Sequence, residues 1–81
     1  MPPLLAVDLD LPAGWHCDVV LTQNFEGAVS GKAELRQGRE ARCVFVIAQQ
    51  GSREAAQARL QFRIDHFVRE WEARVASEQG T

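Results

Sequence analysis

The chain has 81 residues, 46% hydrophobic and 25% charged, with a formal net charge of −2. That length holds one domain, and the composition is that of a folded chain, not a disordered one. The charge excludes a strongly basic balance that would draw in nucleic acid or an anionic membrane. The excess acids, Asp8 and Asp10, lie near the start, and acids and bases balance over residues 15–81. A chain this short buries only roughly 60% of the surface its unfolded form exposes, so a partner subunit would add much to its stability.

Residues 1–13 form the first unit. Leu5, Val7, Leu9 and Leu11 alternate with Ala6, Asp8 and Asp10, the two-residue period of a strand. Pro2 and Pro3 precede the run and Pro12 ends it, which predicts an edge strand or an arm that orders on pairing. The start lacks the basic residues of a signal peptide, and no apolar run of about 18 residues occurs. A cytoplasmic chain with no membrane span is expected.

Residues 14–50 carry an antiparallel sheet pattern. After the turn Leu11-Pro12-Ala13-Gly14, Trp15, Cys17, Val19 and Leu21 alternate with His16, Asp18, Val20 and Thr22. A polar loop, Gln23 to Gly27, contains Phe25. Val29, Gly31, Ala33 and Leu35 then share a face opposite Ser30, Lys32, Glu34 and Arg36. Gln37-Gly38-Arg39 makes a short hairpin connection. Beyond it Ala41, Cys43, Phe45 and Ile47 line one face, and Arg42, Val44, Val46 and Ala48 the other. This last strand is apolar on both sides, which a sheet with one solvated face does not require.

Gln49-Gln50-Gly51 breaks the pattern. Ser52 is placed as an N-cap with Glu54 in the first turn, and residues 52–77 read as one helix. Ala56, Leu60, Ile64, Phe67, Val68, Trp71 and Val75 fall on one stripe at about 100° per residue. Asp65 with Arg69 and Glu70 with Arg74 have the spacing of helix-surface ion pairs. Residues 78–81 read as a frayed tail. The fold class is therefore α+β: a three- or four-stranded antiparallel meander, covered on one face by a single long C-terminal helix.

No residue pattern commits the chain to a chemistry. Cys17 and Cys43 share the inward face, and buried free thiols are the expected state. His16 and Cys17 are adjacent on a strand and diverge, so the convergent ligands of a zinc site are missing. Gly27-Ala28-Val29-Ser30-Gly31 enters a strand, not a helix N-terminus, and lacks a phosphate loop's anion site. No nucleophile–base arrangement can be drawn. No catalytic residue, metal or cofactor is assigned, and the chain is not expected to be an enzyme.

The strand order and the helix opening Gly51-Ser52-Arg53-Glu54-Ala55-Ala56 resemble, over residues 28–71, the small bacterial HicB-type antitoxin domains. The aromatic-glycine strand and proline-glycine turn of that family are missing. A ββββα order is also similar to that of single-stranded-DNA-binding dimers, whose basic strand surface is absent here. Neither resemblance transfers a residue or a role, so no family is assigned.

Two surfaces remain as candidates. Val44 and Val46, with Val20 on the same side of a neighbouring strand, make an apolar outer face. Phe62 lies opposite the buried helix stripe, in a strip with Ala55, Ala58, Ala73 and Ala76. Together they predict a non-enzymatic interaction or self-association module, a homodimer or a binder of another protein. The alternative is a nucleic-acid-binding regulator using the strip Arg59, Arg63 and His66, extended by Arg53. That strip is short and interrupted by Glu70, so nucleic acid is not the expected partner.

Overall fold

The structure, a computed structural model, describes residues 7–79. Three strands are followed by one helix: β1 (Trp15–Gln23), β2 (Val29–Gln37), β3 (Glu40–Gln50) and α1 (Arg53–Gln79). The sheet order is β1-β2-β3, antiparallel throughout, so the arrangement is the three-stranded α+β form.

The first turn of the meander is tied by Asn24. Its Oδ1 accepts hydrogen bonds from the Glu26 and Ala28 amides, at 2.9 and 3.0 Å. In the second, Gly38 takes a φ of +58°, a value that glycine reaches without cost at a hairpin's first turn position. Ser52 caps α1 as expected, its Oγ accepting from the Ala55 amide at 3.0 Å. A cap of this kind contributes about 1 kcal/mol.

The core forms between the sheet's inner face and the helix. Trp15, Leu21, Val29, Ala33, Leu35, Phe45 and Ile47 from the strands meet Ala56, Leu60, Ile64 and Val68 from α1. The alternation and the helical stripe both predict this set. Phe67 joins an aromatic cluster at its margin. Its ring stands edge-on to Trp15 and Phe45, with centroids 6.3 and 6.2 Å away, and stacks on Trp71 at 6.3 Å.

The backbone of the helix lies over β2 and β3, and β1 meets it through side chains such as Trp15 against Phe67. Of the two forms expected for the first segment, edge strand or arm, the described part takes the arm. Residues 4–6 lie outside the described residues, and residues 7–11 are not part of the sheet. They run instead beside α1. The Asp8 amide donates to Gln57 Oε1 at 3.2 Å, and the Asp10 amide to Gln61 Oε1 at 2.7 Å. Gln61 Nε2 returns a bond to the Asp10 carbonyl at 2.9 Å. Val7, Leu9 and Leu11 thereby pack against the core. The alternation was a true sign of an extended, one-sided segment, but its hydrogen-bonding partner is a pair of helix side chains.

A correction concerns the start of β3. Leu35 pairs with Cys43, whereas Arg36 pairs with Ala41, so Arg42 is an extra residue in a β-bulge. Ala41, predicted to face inward, is exposed. Arg42, predicted to face outward, lies with its guanidinium 4.4 Å from the Trp71 ring centre. The expected helix-surface ion pairs do not form either. Asp65 accepts from Gln61 Nε2 at 2.8 Å, and Arg74 lies over Trp71 at 5.8 Å.

Gly31 sits opposite Leu21, with the β1 backbone close against it. A Cβ there would lie 1.9 Å from the Val20 carbonyl oxygen, far inside contact distance, with backbone as the obstacle. Gly31→Ala is expected to cost about 2 kcal/mol or more. That lowers the thermal midpoint by roughly 8–16 °C for a domain of this size, measurable by circular dichroism melting. An unchanged midpoint would show that the two strands separate at this point without loss.

Candidate functional site

β3 is one edge of the sheet, and three exposed large apolar side chains, Val44, Val46 and Phe62, lie around it. On the outer face Val44 and Val46 are 55% and 69% exposed. On the inner side Phe62 is 66% exposed and lines a shallow groove with Phe45, Arg63, His66, Phe67 and Glu70. Val20, 45% exposed, shares the outer face but is set back. It pairs with Lys32, which pairs in turn with Val46, so a lysine separates the two valines in that row. The four predicted interface residues therefore form two groups. Val44, Val46 and, more distantly, Val20 occupy one side of the β3 edge, and Phe62 occupies the other.

Arg63 lies between these groups. Its Nη1 donates to the Val46 carbonyl at 2.9 Å, and its guanidinium sits 5.1 Å from the Phe45 ring centre. That contact fixes the direction of the edge. In a β-strand the N–H and C=O of one residue point the same way and successive residues alternate. With Val46 facing away from β2, Val44 does so too, while Cys43, Phe45 and Ile47 face the ladder. Edge strands are commonly blunted by charges, proline or a covering element. Along 43–47 the only such device among the described residues is Arg63.

The predicted basic strip is not assembled as a free positive surface. Arg63 is folded onto β3, and Arg53 bonds Glu54 at 3.1 Å at the helix start. Arg59 and His66 are exposed on the same flank of α1, with Glu70 one turn beyond His66. On the outer face of the sheet Asp18 and Glu34 are direct neighbours, and Arg36 bridges Glu34 at 2.9 Å. Charges of both signs thus alternate over these surfaces.

Cys17 and Cys43 flank Leu35 from opposite strands. Two strand spacings separate them by about 9–10 Å, beyond the roughly 7 Å reach of a disulfide. Burial, followed by the charge of Asp18, pushes the Cys17 thiol up to about 11. Among the described residues no group of three or more His, Cys, Asp and Glu side chains could hold a metal ion. No helix there is long and apolar enough to cross a membrane.

In the sequence Phe25 stands out only as part of a polar loop. The structure shows it 97% exposed beside the Asn24 that ties the turn. Asn24 followed three residues later by Gly27 was the available signal of a fixed turn. Nothing in the alternation marked Gln57, Gln61 or the bulge at Arg42. No family model, no curated protein and no solved structure matches this chain.

Because only the thiolate reacts readily, the raised Cys17 value has a measurable consequence. At pH 8 its alkylation by iodoacetamide should run roughly 100-fold slower than that of an unperturbed thiol, read by peptide mass spectrometry. Asp18→Asn should increase the rate, since it removes the charge that opposes thiolate formation. Equal rates in the folded and urea-unfolded chain would contradict this account.

Proposed function

We propose that this chain is a non-enzymatic self-association module, a homodimer formed around the β3 edge. The carrying observation is that Val44, Val46 and Phe62, the last two about two-thirds exposed, flank a strand that has no neighbour on its outer side among the described residues. Apolar side chains grouped about an open edge favour association, and a small domain gains most from the burial. The two separated thiols suit a reducing compartment such as the cytoplasm. The nucleic-acid alternative draws less support, because Arg63 is engaged within the fold and Glu70 interrupts its flank.

Sedimentation velocity tests the reading. The wild-type chain is expected to run as a dimer at tens of micromolar. Val46→Asp and Phe62→Asp should each shift it toward monomer with unchanged far-ultraviolet circular dichroism. Both positions are exposed, so the folded single copy tolerates the charge, whereas an apolar interface loses on the order of 2 kcal/mol or more per chain. A wild-type monomer at several hundred micromolar would overturn the proposal.

A further inference from the structure

Resting on that reading of self-association, we infer the manner of it: two copies join β3 to β3 antiparallel about a two-fold axis at Phe45, making one continuous six-stranded sheet.

The register follows from the strand itself. β3 is irregular at Arg42 and again between Ile47 and Gln50, which leaves Cys43–Ile47 as its regular stretch, with Phe45 at the centre. Within it Val44 and Val46 present their amides and carbonyls outward, as the Arg63 contact shows. An axis at Phe45 sets Val44 opposite Val46 of the second copy, and Val46 opposite its Val44. Both are then hydrogen-bonded pairs, each exchanging two backbone bonds. The Val46 carbonyl keeps a second lone pair for this beside its bond to Arg63. The same pairing lays valine against valine on the outer face. An axis at Val44 or Val46 would instead run the pairing into one of the irregular ends.

The helices fit the same axis. α1 sits over β2 and β3, so its axis is set back from the β3 edge by about half a strand spacing. Two such helices flanking a new β3–β3 junction come to lie about 10 Å apart, the packing distance of helices. Phe45 touches Arg63 and Phe67, so the two-fold passes between the helices at the level midway between those residues, near Asp65. The helices run antiparallel, and Glu70 of one copy faces the turn of the other that carries Arg59 and Arg63. Glu70 is thereby set against basic residues of the other copy, while Arg74, one turn beyond Glu70, stays over its own Trp71. β1 offers no equivalent. Its outer face carries Asp18 next to Glu34, and the arm occupies the inner side near it.

Amide hydrogen exchange of the wild-type chain, followed by NMR below and above its association midpoint, tests the register. In the single copy the Val44 and Val46 amides have no ladder partner among the described residues and should exchange quickly. In the dimer both should slow by about 10-fold or more, while Phe45 and Ile47 are protected in both states. A dimer whose Val44 and Val46 amides stay fast overturns the edge pairing and leaves self-association standing. A chain that never associates overturns both. Val46→Pro supplies a second measure, because the N–H it removes is not used by β2. The folded variant is expected to be monomeric, and a folded dimer of it would overturn the inference. If the variant does not fold, the wild-type exchange rates decide.

Discussion

One helix cannot cover three strands. An α-helix with its side chains is about 10 Å across, and three strands spaced about 4.8 Å apart present a wider inner face once their own side chains are counted. α1 resolves this by lying over β2 and β3, and most other features of the molecule answer to that offset. On the β1 side the uncovered apolar positions are closed by the arm, with Val7, Leu9 and Leu11 against the core. On the β3 side the helix comes close enough for Arg63 to reach the strand's edge, and among the described residues no strand lies beyond it. Among the described residues one margin is thus closed by the chain itself and the other is not.

Arginine has an uncommon share in finishing the core. Arg42 and Arg74 lie over Trp71, and Arg63 over Phe45, so guanidinium planes cover aromatic rings that the helix and sheet leave partly in water. Each such contact contributes about 0.5–1 kcal/mol where solvent has access, comparable to a helix cap. The bulge at Arg42 belongs to the same arrangement. By adding a residue to β3 it turns that side chain from the outer face toward Trp71, and the cost in regular pairing is confined to the strand's first residues. The neutral charge balance of residues 15–81 therefore conceals a division of labour, in which several arginines serve as lids on apolar surface.

The strands, the helix and the core were legible in the sequence because each has a period that physics imposes: two for Trp15 to Leu21, and 3.6 for Leu60 to Trp71. The arm has the same period as a strand, and alternation alone reports an extended chain with one buried side. It cannot say whether the backbone bonds another strand or the amides of Gln57 and Gln61. Arg42 shows a related limit. A bulge shifts the phase by one residue, and two short alternating runs on either side of it look like one. The surface around β3 was legible as surplus: Val44, Val46 and Phe62 were apolar where the core did not need them. Which way the edge points was not, since it depends on a single guanidinium reaching the Val46 carbonyl.

The glutamine contacts that hold the arm have a built-in limit of length. Two residues of extended chain advance about 6.6 Å, whereas four residues of helix advance 6.0 Å, so arm and helix behave like the two scales of a vernier. Asp8 meets Gln57 and Asp10 meets Gln61. The next step would bring Pro12, which has no amide to offer, level with Asp65, which already accepts from Gln61. Pro12's missing amide is what ends the track on this side, so glutamines further along α1 would not lengthen the arm's grip.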